Sequence, residues 1–134
     1  MTPTRNPKDR LRATELEEQQ RVDKPWGHEI WWAKTDSYAG KILVVEAGHE
    51  LSLQMHRRKN ETFYLFSGRL RLTQGPTEEE TKELDIEPGQ AWRNEPGVVH
   101  TIKALADSVV LEVSTPHLDD VVRLKDRYGR ESLR

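Results

Sequence analysis

The fold is decided by residues 51–72, which read LSLQMHRRKNETFYLFSGRLRL. Within this stretch, apolar and polar side chains alternate from Leu51 to His56, from Glu61 to Phe66 and from Arg69 to Leu72. Alternation with a period of two is typical of β-strands that bury one face. The dipeptide Ser67-Gly68 separates the last two segments and predicts a hairpin turn. The stretch therefore predicts three consecutive short strands.

Further short segments on both sides of this stretch have the same character. Pro88-Gly89 and Pro96-Gly97 predict turns, and the residues from Gln74 to Glu80 predict an exposed loop. Many short strands separated by glycine and proline are typical of an all-β sandwich or barrel. Strands are predicted close to residues 28–33, 39–47, 83–86, 90–93, 98–103 and 108–114.

One helix is predicted near the C-terminal end, from Leu118 to Asp126. Its first turn would hold Asp119 and Asp120, and carboxylates are favourable at a helix N-terminus. We therefore expect a small single-domain all-β barrel that ends in a short helix. Four apolar residues would share one face of this helix, namely Leu118, Val121, Val122 and Leu124.

Length and composition fit one small globular domain. The chain has 134 residues, enough for one modest core. Residues 1–21 are nearly all charged or polar and predict a disordered or helical tail, which leaves residues 22–134 for the barrel.

A net charge of -2 without a basic stripe does not favour nucleic-acid binding. Because the sequence shows no signal-peptide pattern and no membrane-spanning run, we expect a cytoplasmic protein without membrane contact.

Four residues predict a metal site. Since the chain has no cysteine, its ligands for a metal are histidine, carboxylate and amide groups. Gln54 and His56 are two residues apart on a predicted strand and point to the same face. Glu61 follows a short turn, and His100 follows Pro96-Gly97 on a distant strand. A lone histidine is more often a hydrogen-bonded residue than a ligand, but this combination suits one divalent ion of Zn, Mn, Fe, Co or Ni.

These residues resemble the paired motifs of the cupin superfamily, whose fold is a double-stranded β-helix or jelly-roll barrel. Glutamine at position 54, where most cupins have histidine, is similar to the C-terminal barrel of type II mannose-6-phosphate isomerases. The resemblance extends over about residues 22–130. It includes Lys24-Pro25-Trp26-Gly27, residues 51–56, residues 119–123 (DDVVR) and residues 126–130 (DRYGR).

The chain departs from that family between its predicted metal ligands. Where the family usually has further histidines and then an arginine, this chain has Arg57, Arg58 and Lys59. After Glu61 it has Thr62-Phe63 in place of the family's His-Trp. The resemblance therefore supports the expected fold and metal ligands more strongly than it supports the family's substrate.

The resemblance implies a metal-dependent isomerase that interconverts an aldose phosphate and a ketose phosphate. Such a reaction needs a general base, and the candidates are Glu112 and Lys41, charged residues within predicted apolar strands. The alternative for each is an outward, solvated charge. The candidates for binding the phosphate are Arg58, Lys59 and Arg130, whose alternative is an exposed charge on a loop or tail.

Two other functions stay open at this point. Many cupins carry out oxygen chemistry on iron, so an iron-dependent dioxygenase is one alternative. A non-catalytic cupin that binds a metal or a carbohydrate is the other. A homodimer is expected, because the strand Ile30-Trp31-Trp32 supplies apolar area for pairing. Alternatively, both tryptophans fill the barrel core.

Overall fold

The computed structural model describes residues 15–132, and within them the chain forms eleven β-strands. The strands are β1 (Gln20–Lys24), β2 (Gly27–Lys34), β3 (Ala39–Val45), β4 (Leu53–Met55), β5 (Glu61–Ser67), β6 (Leu70–Gly75), β7 (Lys82–Ile86), β8 (Ala91–Asn94), β9 (Val99–Ala104), β10 (Ser108–Ser114) and β11 (Val122–Lys125).

The strands form two sheets that enclose one barrel. The first sheet has six strands in the order β1-β2-β3-β10-β5-β8, and the second has five in the order β11-β4-β9-β6-β7. All neighbouring strands are antiparallel. The all-β prediction is therefore confirmed, and most predicted strands lie where the alternation placed them.

The predicted C-terminal helix is wrong, since no α-helix occurs between residues 15 and 132. The segment turns at Leu118 and Asp119 and then forms β11, which pairs with β4. Two physical reasons favour the strand. The β-branched Val121 and Val122 suit an extended backbone. Pairing also satisfies the backbone groups that β4 would otherwise leave open at the sheet edge.

The Ser67-Gly68 turn is real, but the predicted hairpin is wrong. β5 belongs to the first sheet and β6 to the second, so this turn carries the chain from one sheet to the other. Gly68 has a φ of 97°, in the left-handed region. A Cβ at this position would lie 2.3 Å from the Ser108 hydroxyl oxygen and 2.4 Å from the Asp107 carbonyl oxygen. The crossing therefore requires glycine for both its conformation and its space.

The barrel interior is apolar at one end and ionisable at the other. On β3, β10 and β5 the inward positions at the apolar end are Leu43, Val110 and Leu65, which are neighbours in register. Two residues further along, the inward positions are Lys41 and Glu112. The buried core consists of Trp26, Leu43, Val45, Leu51, Phe63, Leu65, Leu70, Leu72, Ile86, Trp92, Ile102, Ala104 and Val110.

The predicted polar tail overlaps the start of the barrel. Residues 1–14 lie outside the described part of the chain. Gln20 and Arg21, the last tail positions predicted from composition, pair in β1 with Trp31 and Ile30. A search of residues 15–132 finds no helix with the length and apolarity to cross a membrane.

Replacing Gly68 by alanine should destabilise the protein strongly. The left-handed backbone costs a residue with a Cβ about 1–2 kcal/mol. The collision with Ser108 and Asp107 adds roughly 1–3 kcal/mol of overpacking. We expect urea denaturation to report a loss of about 2–5 kcal/mol in the free energy of unfolding.

Gly89→Ala is the matched control for Gly68→Ala. Gly89 has a similar φ of 91°, but a Cβ there meets nothing within 4 Å. Its replacement should cost only the backbone strain of about 1–2 kcal/mol. Equal destabilisation by the two variants would contradict the steric account of the crossing between sheets.

Candidate metal centre

Two histidines and one glutamate meet between the two sheets. His56 follows β4, Glu61 begins β5 and His100 lies on β9. Each of the three is 2% exposed. His56 Nε2 lies 3.5 Å from Glu61 Oε1, and His100 Nε2 lies 3.2 Å from Glu61 Oε2. The fold therefore brings three of the four predicted metal ligands into one cluster.

Hydrogen bonds orient both imidazoles with Nε2 towards the cluster. His56 Nδ1 donates to the Asp120 carbonyl oxygen at 2.5 Å, and His100 Nδ1 donates to the Val98 carbonyl oxygen at 2.9 Å. Because a carbonyl oxygen only accepts, each Nδ1 carries a proton, and in the neutral imidazole the lone pair is then on Nε2. Within the described chain neither buried Nε2 has a hydrogen-bond partner. Unpartnered lone pairs of this kind fit a metal ion.

The spacing of the three side chains also fits a metal. Their potential ligand atoms lie within 4.8 Å of one another. Ligands bound at about 2.0–2.2 Å in tetrahedral or octahedral geometry are separated by about 3.0–3.5 Å. The two distances from histidine nitrogens to Glu61 oxygens lie within or close to that range. Two imidazoles and a carboxylate suit Zn, Mn, Fe, Co or Ni.

Gln54 lies next to the cluster. It is the cross-strand partner of His100 in the pairing of β4 with β9, and it lines an internal cavity together with His56 and Glu61. Its Oε1 accepts a hydrogen bond from the Ser52 hydroxyl at 3.2 Å. The role of Gln54 as the fourth ligand stays a prediction.

Two side-chain amides support Glu61 through successive hydrogen bonds. Asn94 Nδ2 donates to Glu61 Oε2 at 2.9 Å, and Gln74 Nε2 donates to Asn94 Oδ1 at 2.8 Å. Asn94 is completely buried. Sequence reasoning missed both amides, because an asparagine before Glu95-Pro96 has the signature of an ordinary turn residue. Such supporting hydrogen bonds fix the orientation of a ligand carboxylate.

Asp120 holds the loop between β4 and β5. Its carboxylate accepts hydrogen bonds from the backbone N–H groups of Arg57, Arg58 and Lys59 at 3.1, 2.6 and 2.9 Å. Burial alone would raise the pKa of Asp120, but these three hydrogen bonds lower it. Since its carbonyl also binds His56, Asp120 fixes both the loop and one predicted metal ligand. The sequence had suggested a helix N-terminus at this position.

Lys59 is buried between two carboxylates. Its Nζ lies 3.0 Å from Glu61 Oε1 and 2.9 Å from Glu112 Oε2, and the side chain is 5% exposed. Burial would lower the pKa of Lys59, but the charges of Glu112 and Glu61 raise it above its ordinary value. Burial would likewise raise the pKa of Glu61, but the charge of Lys59 holds it well below its usual range. The three groups therefore form a buried ionic triad.

Glu112 and Lys41, the candidates for the general base, both point into the cavity. They are cross-strand neighbours, yet each has a different ionic partner. Lys41 Nζ lies 3.4 Å from Glu29 Oε1 and 4.6 Å from the centre of the Trp31 ring. Trp31 Nε1 donates to the same glutamate oxygen at 2.8 Å. Trp31 thus lines the cavity, whereas Trp32 is 42% exposed, so the alternative that both tryptophans fill the barrel core is wrong.

The cavity has a volume of about 200 Å³ and cations along its lining. Lys24, Arg123 and Arg130 all contribute, and only Arg130 was predicted from the sequence. Burial lowers the pKa of Lys24 and Arg123, and the neighbouring charge of Arg130 acts in the same direction on both. The same lining includes the carboxylates of Glu29, Glu61, Glu112 and Asp119, so the cavity carries charges of both signs.

The three cations predicted to bind phosphate lie in different places. Arg130 lines the cavity and pairs with Asp126 through Nε at 3.0 Å. Lys59 lines it within the ionic triad described above. Arg58 lines a separate surface depression next to His117. A phosphate-binding role for these residues stays a prediction.

Two facing antiparallel sheets around a buried histidine–glutamate cluster define the chain as a cupin. An RmlC-like cupin from Shewanella frigidimarina NCIMB 400 superposes with a TM-score of 0.64 at 14% identity, over 76% of this chain and 87% of that one. KdgF from Halomonas sp. superposes with a TM-score of 0.63 at 23% identity, over 77% of this chain and 89% of that one. Likeness at these identities shows the fold.

The sequence narrows this class further. The family model described as Mannose-6-phosphate isomerase C-terminal matches residues 12–126, and the chain belongs to that family. Mannose-1-phosphate guanylyltransferase 2 of Escherichia coli O157:H7 is 29% identical over 125 residues, which are 88% of this chain and 24% of that protein. The chain spans about a quarter of the length of the curated relatives it matches.

Replacing Asp120 by alanine should weaken metal binding. Without its carboxylate, three backbone N–H groups lose their acceptor and the loop that carries His56 loosens. Loss of such supporting contacts typically lowers metal affinity on the order of 10- to 100-fold. Titration of Zn²⁺ or Co²⁺ against a competing chelator would measure the change. Asp119→Ala, at the exposed neighbouring position, is the control, and equal affinities in the two variants would refute the positioning role.

Replacing Lys59 by methionine should destabilise the metal-free protein. Glu61 and Glu112 would lose the cation they share while staying buried. Removing one partner from a buried ion pair costs about 3–5 kcal/mol. Urea unfolding in the presence of a chelator would measure the loss. Arg58→Met, at the exposed adjacent position, should change the free energy of unfolding by only about 0.5 kcal/mol, and a similar loss there would contradict the proposed energetic role of the triad.

Proposed function

We propose that this chain is a metal-dependent sugar-phosphate isomerase of the mannose-6-phosphate isomerase type, which interconverts an aldose phosphate and a ketose phosphate. The observation that carries the proposal is the oriented His56–Glu61–His100 cluster, beside a cavity whose lining includes Lys24, Arg123 and Arg130. Membership of the family described as Mannose-6-phosphate isomerase C-terminal supports it. The proposal includes a cytoplasmic location and a homodimer, as expected from the sequence.

The predicted metal ligands would hold one divalent ion beside the substrate. When bound, the ion supplies Lewis-acid stabilisation of negative charge on substrate oxygens. His56 and His100 contribute neutral imidazoles, because their Nδ1 protons are committed to carbonyl oxygens. Glu61 contributes the negative charge, and Asn94 keeps one of its oxygens in place. Gln54 completes the proposed ligand set from the neighbouring strand.

Aldose–ketose interconversion requires a proton to leave one carbon and return to its neighbour. Glu112 is the stronger candidate for this transfer, because its carboxylate is buried in the cavity wall beside the predicted metal ligands. The Lys59 ammonium lies 2.9 Å from Glu112 and keeps a positive charge where an enediolate would develop negative charge. Lys41 is the second candidate, although its pairing with Glu29 engages its ammonium elsewhere.

The phosphate of the substrate would bind the cations that line the cavity. A phosphate monoester carries a charge of about −1.5 to −2 near pH 7. Lys24 and Arg123 join the predicted Arg130 as candidates, and Arg123 Nε is buried without a hydrogen-bond partner in the described chain. A dianion at this position would offset the burial and the repulsion that together lower the pKa values of Lys24 and Arg123.

Two observations keep other functions as alternatives. The ion pair between Lys59 and Glu112 occupies the candidate base, which favours a cupin that binds metal or carbohydrate without turnover. Two histidines and one carboxylate also resemble the triad that holds iron in many oxygenases, which favours iron-dependent dioxygenase chemistry.

The function is tested by deuterium exchange. Protein reconstituted with Zn²⁺, Mn²⁺, Co²⁺, Ni²⁺ or Fe²⁺ is incubated in D₂O with mannose-6-phosphate, and NMR follows deuterium at the carbon beside the carbonyl. We expect metal-dependent uptake, because the proposed base exchanges its proton with solvent. Mannose, which lacks the phosphate, should exchange at least about tenfold more slowly if remote binding contributes to the reaction.

Two controls define the outcome. A chelator and His100→Ala should each abolish exchange, since each removes part of the metal centre. Absence of exchange from protein that retains metal, across a panel of sugars and sugar phosphates, would refute the isomerase. Consumption of oxygen by the iron form would then favour the dioxygenase, and saturable sugar binding without turnover would favour the binding role.

A further inference from the structure

Lys59 contacts an oxygen atom of the candidate metal centre. Its Nζ lies 3.0 Å from Glu61 Oε1, and His56 Nε2 lies 3.5 Å from the same oxygen. The second carboxylate oxygen, Glu61 Oε2, accepts a hydrogen bond from Asn94 and faces His100. A divalent ion that binds Glu61 Oε1 would therefore share this oxygen with an ammonium group.

The ammonium lies close to the position that such an ion would take. Metal–oxygen bonds to a carboxylate are about 2.0–2.2 Å long. An ion bound to Glu61 Oε1 would thus lie within about 5 Å of Lys59 Nζ. The Lys59 side chain is 5% exposed and that of Glu61 is 1% exposed, so solvent screens this pair of cations only weakly. Their repulsion is correspondingly strong.

Both ends of the Lys59 residue are anchored. Its backbone N–H donates to the Asp120 carboxylate at 2.9 Å, as part of the loop between β4 and β5. Its ammonium contacts Glu112 Oε2 at 2.9 Å in addition to Glu61. The positive charge therefore stays in the interior when an ion binds to Glu61.

The charge of the cluster depends on this lysine. Glu61 and Glu112 each contribute -1 and Lys59 contributes +1, so the buried triad has a net charge of -1. A divalent ion would change this charge to +1. Without Lys59, the two carboxylates alone would neutralise the ion. Because a buried net charge is costly, Lys59 favours the state without metal.

We propose that Lys59 is an internal cation that competes with the metal ion for Glu61. It keeps the barrel stable without metal, and it lowers the affinity of the site for a divalent ion. The ion is then bound reversibly and is not needed for folding. This inference rests on the metal centre of the proposed function, but it does not depend on the isomerase reaction.

A purely structural role for Lys59 has the opposite consequence. If the ammonium only held Glu61 in place for the metal, its removal would loosen a ligand and weaken metal binding. Asn94 already holds one oxygen of Glu61, and Asp120 holds the loop through backbone N–H groups. Neither contact involves the Lys59 side chain, so the ligand geometry should survive its removal.

Two opposite charge changes in the triad test the competition. Lys59→Met removes the competing cation and should raise the affinity for Zn²⁺ or Co²⁺ by at least about tenfold. Glu112→Gln leaves Glu61 as the only carboxylate of the triad that pairs with Lys59, and it should lower the affinity by at least about tenfold. Titration of each protein against a competing chelator, without any sugar, measures both changes.

Arg57→Met is the matched control. Arg57 is exposed on the same loop, so this variant removes an equal charge at a position where solvent screens it. Its affinity should stay within about twofold of the wild type. An equal gain in Arg57→Met and Lys59→Met would assign the effect to the charge of the whole loop and would overturn the competition for Glu61.

Unfolding in urea gives a second readout. A ligand that binds only the folded state stabilises it by an amount that grows with affinity. Zn²⁺ should therefore raise the urea midpoint of Lys59→Met more than that of the wild type, and the wild type should remain folded in a chelator. If Lys59→Met does not fold, the affinity of Glu112→Gln decides the question.

The outcomes separate this inference from the proposed function. Unchanged or weaker metal binding by Lys59→Met, or unchanged or tighter binding by Glu112→Gln, would overturn the competition. Metal-dependent deuterium exchange by the wild type would still support the isomerase in that case. Absence of metal binding by the wild type and by every variant would refute the metal centre, and with it both proposals.

Discussion

The ammonium of Lys59, held between the carboxylates of Glu61 and Glu112, is the interaction on which the interior depends. All three groups are buried, and a buried charge is tolerated only when it is paired. The ion pairs connect the loop after β4 with β5 and β10, which come from distant parts of the sequence. A polar cavity can therefore exist within a barrel of modest size.

The register of the strands explains why the polar groups gather at one end. On neighbouring strands of an antiparallel sheet, inward positions lie side by side, so an ionisable residue on one strand finds its neighbours on the next. Lys41 and Glu112 are such a pair of positions. Asp120 attaches the C-terminal segment to this end of the barrel, because it forms hydrogen bonds with the loop after β4 and with His56. The predicted metal ligands are thus oriented by residues that do not themselves offer a ligand atom to the cluster.

The two faces of the first sheet have different surroundings. Its inner face provides the apolar core at one end and the cavity wall at the other, whereas its outer face is apolar over four strands. Trp31 and Trp32, adjacent in the sequence, fall on opposite faces: Trp31 lines the cavity and Trp32 lies on Gly40 outside. Adjacent residues of a strand point to opposite faces, so the expectation that both tryptophans share one environment fails.

The sequence by itself determined the all-β class, most strand positions and the set of His56, Glu61 and His100, because alternation and ligand spacing are local properties. Only the tertiary structure decided that residues 122–125 form a strand, since their short apolar pattern fits either a helix or an edge strand until β4 offers its backbone. It also decided the partners of Lys59 and the role of Asp120. The sequence shows that these residues are charged, but the partner of a buried charge depends on which distant segments the fold brings together.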